Sequence, residues 1–200
     1  MPQRILILTG QREAKALARY VTARASALDV AVATTRADLT AAAADMRGTR
    51  LIAFLSSVIV PAEILARAPM PAYNIHPGSP DFPGLCPEAF ALAAGARRFG
   101  ATAHEMTREV DAGAIVAVED FAVPPGCGRL HLADLAYRAA VTLFARIADF
   151  CMASDGALAA LPVAWRGRAM RRGDYQALLA RRPDLMVPAD RGLRLQAVGL

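Results

Sequence analysis

The strongest constraint on the fold is an alternation of two hydrophobic periods along the first third of the chain. Arg4 to Thr9 is a short apolar run that ends at Gly10 and reads as a buried strand. Residues 12–28 then place Ala14, Leu17, Ala18, Val21, Ala25 and Leu28 at helical spacing. Val30 to Thr34 reads as a second strand, Ala37 to Met46 as a helix of strong helix formers, and Leu51 to Leu55 as a third strand. Pro61, suited to a helix start, opens a short helix to Ala68. Strands that alternate with helices in this way predict an α/β domain, a parallel sheet with helices on its faces.

Pro69 and Pro71 interrupt the chain before another strand, Ala72 to His76. Pro77 to Pro87 holds four Pro and two Gly, too punctuated for a helix or a central strand. Glu88 to Arg98 reads as helix. Thr102 to Met106 and Ala114 to Val123 read as strands flanking a loop around Asp111. Leu132, Leu135, Ala136, Ala139, Leu143, Ile147 and Cys151 mark one face of a long helix, after which the chain is basic and broken by Pro and Gly beyond Ala160. This divides the chain into a main domain, residues 1–155, and a short basic extension, residues 156–200, packing on or beside it.

At 200 residues, 55% hydrophobic and 20% charged, the chain can bury a core without cross-links. Cys86, Cys127 and Cys151 have no metal-type or redox-type spacing and read as spare thiols in a reducing cytosol. The opening apolar run stops at Gly10 and Arg12, too short for a membrane span and without a signal-peptide cleavage pattern, so a cytoplasmic protein is expected. Arg166 to Arg194 holds eight Arg against three Asp, which accounts for the whole net charge of +5. Such a segment suits either a solvated tail or contact with a phosphate.

Asn74 and His76 lie two apart in a strand, so both side chains point to one face, at the carboxyl end where open α/β sheets bind ligands. An amide N–H can stabilise a developing oxyanion and an imidazole can move a proton, which suits acyl transfer. A hydrogen-bonded pair at a strand end is the alternative for these two residues alone. Asp111, followed by Gly113, can reach the same site, orient His76 and raise its proton affinity. An ordinary Asp-x-Gly turn is the alternative there. His104 reads as support for the site, and Trp165, the only Trp, as an anchor for the basic tail or a stacking surface.

Together, NIHPGSPDFPG (74–84), FGATAHEMTREVDAGAIV (99–116) and, more loosely, AFLSSVIVP (53–61) resemble the formyltransferase family over roughly residues 4–125. The resemblance implies a Rossmann-like formyltransferase fold with a mostly parallel sheet and helices on both faces. It implies 10-formyl-tetrahydrofolate as co-substrate and no metal. Asn74 would be the principal oxyanion partner, His76 would share that task or move a proton, and Asp111 would orient His76 or a water. The pterin would lie against backbone at Ser56, Ser57, Val58, Ile59 and Val60 and against the loop from Met106 through Val110 to Asp111.

The sequence departs from the family in informative places. Gly78 to Gly84 replaces the Ser-Leu-Leu-Pro segment of many members, which puts the acceptor in question more than the donor. The stretch after the long helix is too short for the tRNA-gripping barrel of methionyl-tRNA formyltransferases, so no tRNA acceptor is expected. ILILTGQREAK lacks the glycine-rich phosphate loop usual in glycinamide ribonucleotide formyltransferase. The expected function is therefore N-formylation of a small-molecule amine, with a nucleotide-linked amino sugar as one candidate. Hydrolysis of the formyl donor and a non-catalytic folate-binding or partner role are the alternatives. The apolar stretch from Val187 to Leu200 leaves open both a homodimer contact and a cap on the chain's own sheet.

Overall fold

In the computed structural model, which describes residues 1–188, the alternation becomes a six-stranded sheet between two layers of helix. Strands β1 (Arg4–Thr9), β2 (Asp29–Ala33), β3 (Thr49–Phe54) and β4 (Tyr73–His76) are linked by helices α1 (Gln11–Arg24), α2 (Arg36–Ala42) and α3 (Ala62–Arg67). After α4 (Pro87–Ala93) come β5 (Arg98–Glu105) and β6 (Ile115–Ala122), then α5 (Arg129–Ala153) and α6 (Arg172–Arg181). The sheet order is β2-β1-β3-β4-β5-β6. The first four strands pair in parallel, as helical crossovers require, while β5 and β6 run antiparallel.

Strand β1 shows why the sheet sits in the middle. Its Ile5 and Ile7 face a cluster shared with Leu17 and Val21 of α1 and Leu143, Phe144 and Ile147 of α5. Leu6 and Leu8 face a second cluster with Leu39 of α2 and Ile64 of α3. All four β1 side chains are fully buried, and each such burial contributes roughly 1.5–3 kcal/mol. Arg50 of β3 is buried as well. Its guanidinium donates to the carbonyls of Pro71, Ser154 and Gly156, each at 2.8 Å, tying β3 to the chain beyond α5.

Several elements depart from the sequence reading. Helix α4 ends at Ala93, short of Arg98, because Gly95 adopts φ +65°. Its N–H reaches the Leu92 carbonyl while that of Ala96 reaches Ala91, the paired bonds that close a helix at a left-handed glycine. That frees Arg98 to open β5 four residues ahead of the expected Thr102. Helices α1 and α2 also stop earlier than expected, at Arg24 and Ala42. The basic segment contains the ten-residue helix α6, whose Tyr175, Leu178 and Leu179 pack with Ala89 of α4. Those three residues have the i, i+3, i+4 spacing of a helix, obscured by the surrounding arginines and prolines. Of the apolar stretch from Val187 to Leu200, residues 189–200 lie outside the described residues.

Candidate active site

The site forms where β4, β5 and the β5–β6 loop meet. Tyr73 and Ile75 of β4 point into the cluster under α5, so strand alternation turns Asn74 and His76 to the opposite face. The antiparallel register sets Asn74 opposite His104 and His76 opposite Thr102, making His104 a cross-strand neighbour of Asn74. Asp111 comes from the loop. It adopts φ +48°, and Gly113 lies so close to Glu105 that a Cβ there would sit 1.8 Å from the Glu105 carbonyl oxygen. The hairpin therefore folds tightly back over the sheet and delivers the carboxylate to the two histidines.

The distances are short on every side of Asp111. Its Oδ2 is 3.2 Å from His76 Nδ1 and accepts the Gly84 N–H at 2.8 Å. Its Oδ1 is 3.1 Å from His104 Nε2 and 3.4 Å from Asn74 Nδ2. His104 Nδ1 lies 2.9 Å from the Glu105 carbonyl, so it carries a proton, and its Nε2 lies 3.0 Å from Asn74 Nδ2. Asn74 Nδ2, His104 Nε2 and Asp111 Oδ1 thus form a nearly equilateral triangle of 3.0, 3.4 and 3.1 Å. By the same reasoning His76 Nε2 carries the proton given to the Phe82 carbonyl at 2.9 Å, which leaves Nδ1 as its basic nitrogen. Gly78 permits this arrangement, since a Cβ there would fall 2.4 Å from His76 Nε2.

Burial sets the charges. His76 is held below its ordinary pKa because burial penalises the imidazolium, and that penalty outweighs the attraction of Asp111. Asp111 raises the proton affinity of His76, as the sequence leads one to expect, but burial acts the other way and decides the sign. Burial opposes ionisation of Asp111 too. There the histidines and the Gly84 N–H prevail, and the carboxyl is held at about 2.

These residues open onto a cleft of about 1380 Å³ outside the carboxyl ends of β3 and β4. Ser56, Ser57, Ile59 and Val110 line it, as do Asn74, His76 and Asp111. Val58, Val60 and Met106 do not; they pack into or against the cluster beneath α2 and α3. Ile59, Leu85, Val110 and Val163 leave 60, 41, 46 and 44% of their surface exposed around this cleft, an unusual apolar rim. Among the described residues, Leu55, Cys86 and Asp111 are the non-glycine positions with positive φ, and all three line the cleft. Such backbone strain concentrates at functional sites.

The far wall comes from the chain after α5. The Leu161 N–H donates to the Ile115 carbonyl at 2.7 Å and the Arg166 N–H to Pro80 at 2.9 Å. Met170 exchanges hydrogen bonds with Pro83 and Leu85, forming a bridge beside Gly84. Trp165 donates its indole N–H to the Gly113 carbonyl at 2.9 Å. Its ring stands edge-on to both His76 and His104, with centroids 5.7 and 5.1 Å away. Sequence reasoning left Trp165 between an anchor and a stacking surface and treated His104 as support. Cross-strand register and chain return, which bring both to the site, have no local signature. Among the described residues no group of three or more His, Cys, Asp or Glu is arranged to hold a metal ion, and no helix is long and apolar enough to cross a membrane.

Such a constellation lies where open α/β sheets bind their ligands, and the family of the chain makes it a one-carbon group transferase. The chain belongs to the formyl transferase family, whose model, described as "Formyl transferase", matches residues 12–134. Among solved structures, a sugar N-formyltransferase from Shewanella sp. FDAARGOS_354 superposes with a TM-score of 0.70 at 16% identity, covering 88% of this chain and 79% of its own. A 4-N formyltransferase from Francisella tularensis gives 0.66 at 20% identity over 88% of this chain and 78% of its own. An N-formyltransferase from Helicobacter canadensis, in complex with folinic acid and dTDP-3-aminofucose, gives 0.66 at 12% identity over 87% and 72%. No curated protein matches the chain. At these identities the solved structures share its fold.

Proposed function

We propose that this chain transfers a formyl group from 10-formyl-tetrahydrofolate to the amine of a small molecule, with Asn74, His76 and Asp111 as its catalytic residues. The observation that carries the proposal is the convergence of those three side chains at one cleft, with the Asn74 amide and the basic His76 Nδ1 both beside Asp111. The amine lone pair attacks the formyl carbon, and the carbonyl electrons move onto oxygen, where the Asn74 N–H donates to the oxyanion. The ammonium proton of the adduct passes to His76 Nδ1, and Asp111 stabilises the imidazolium so formed. Collapse of the adduct expels the folate nitrogen, which takes up that proton.

The apolar rim suits a flat heteroaromatic ring, so Ser56, Ser57, Ile59 and Val110 are assigned to the pterin, with Val58, Val60 and Met106 backing that wall from the core. The folinic acid and dTDP-3-aminofucose bound by the Helicobacter canadensis neighbour favour a folate donor and a nucleotide-linked amino sugar as acceptor. Glu13, buried in the first turn of α1, sets a carboxylate beside Gly10. That carboxylate, paired with Arg12, occupies the space beside the helix N-terminus where a phosphate would sit, which argues against glycinamide ribonucleotide.

The test is loss of the formyl group from 10-formyl-tetrahydrofolate with and without a panel of nucleotide-linked amino sugars and small amines. Amine-dependent loss that disappears in Asn74→Ala is the expected result. Equal loss without amine would replace transfer by hydrolysis, and the absence of both turnover and folate binding would remove the donor.

A further inference from the structure

We infer that Trp165 is a positioning residue of this site, keeping water from the His76–His104 pair and fixing the Asp111 loop through Gly113; the inference rests on the formyl-transfer reading above. Three independent contacts support it. The indole stands edge-on to both imidazoles. Its N–H is spent on the carbonyl of Gly113, two residues from Asp111 in the same loop. The backbone on either side of it is bound to β6 through Leu161 and to the Pro77–Pro87 loop through Arg166 and Met170.

The physical consequence is specific. Burial lowers the proton affinity of His76, and Trp165, edge-on to its ring, is the cleft-lining aromatic residue packed against it. Removing the indole admits water and relaxes the penalty. Removing only its N–H leaves the penalty and loosens the loop. Trp165 lies outside the span matched by the family, so the wall it builds is supplied by this chain's own C-terminal segment.

Three variants separate these effects, read by side-chain NMR titration of the histidines and by the pH dependence of kcat. Trp165→Ala is expected to raise the His76 midpoint by at least about half a unit and to lower kcat about tenfold, through added water and misplacement of the carboxylate. Trp165→Phe keeps the apolar cover. Its histidine midpoints should stay near those of the wild type while kcat falls about fivefold, the scale of one net hydrogen bond. If Trp165→Ala does not fold, Trp165→Leu tests the same point with a bulky apolar side chain and should lie between the other two. A folded Trp165→Ala, or Trp165→Leu in its place, with wild-type histidine midpoints and a wild-type kcat profile overturns the inference. The titration needs no turnover, so a wild-type protein that formylates no amine would sink the proposed function and still leave Trp165 to be decided by the midpoints.

Discussion

His76 Nδ1 and Asp111 Oδ2 stand 3.2 Å apart with 4 and 5% of their side chains exposed. In so closed a space the pair is asymmetric. Asp111 stays ionised far below neutrality, whereas His76 resists a proton until one is delivered to it. In the proposed transfer, attack by an amine delivers such a proton, and the neighbouring carboxylate is then worth more than it would be in water.

The rate should follow that asymmetry. Because His76 must be neutral to receive a proton, kcat is expected to fall on the acid side with a midpoint below the ordinary histidine value of 6.5. A pH–rate profile checks this, with His76→Gln as the variant that loses the limb. A limb centred above 6.5 would mean that the ring's proton affinity is raised, and a rate that falls instead on the alkaline side would mean that the charged ring is the active form.

Acid stability should show two phases. The folded pKa of His76 lies below its unfolded value, so as pH falls through 6.5 the unfolded chain takes up the proton first and stability begins to drop. Asp111 is lowered from 3.8 to about 2, so its contribution is complete above pH 4 and is lost as pH falls toward 2, for about 2 kcal/mol in all. Urea unfolding from pH 7 to pH 2.5 measures both, and Asp111→Asn should abolish the lower phase.

Asn74→Ala is expected to cut single-turnover formyl transfer at least about a hundredfold, the scale of losing one oxyanion donor. The fold should tolerate it, because Asn74 is only half-buried and His104 keeps its bond to Glu105. Wild-type rates in this variant would take Asn74 out of the mechanism.

Gly113→Ala places a Cβ against the Glu105 carbonyl and should destabilise the protein by about 1–3 kcal/mol while displacing Asp111. Gly126→Ala, where open space surrounds the position but φ is +68°, should cost less, about 1 kcal/mol. Thermal unfolding of the two variants makes the comparison, and a loss at Gly113 no larger than that at Gly126 would show that the Glu105 carbonyl gives way to the added Cβ.

What was legible in the sequence tracks what is local. Ile5 to Leu8, Leu51 to Phe54 and the helical stripe from Leu132 to Cys151 carry their own period, and the sheet and α5 follow from it. Asn74 and His76 were visible as a pair because strand alternation fixes their common face, and the structure sets Asp111 beside them. His104 could not be placed without the register that puts it opposite Asn74. Nor could Trp165, which reaches the site through chain return and not through spacing. The end of α4 was misjudged for a local reason, since Gly95 stops a segment whose composition otherwise favours helix.

The bridge between Gly84 and Met170 joins positions far apart in the order of synthesis. A ribosome finishes the sheet, both histidines and Asp111 well before it makes the segment that laces their loops together. The nascent chain therefore carries its reactive groups in an unfinished form, with the wall of the cleft still absent. The wall of the cleft is thus the last part of it to be made, with the emergence of residues 158–171.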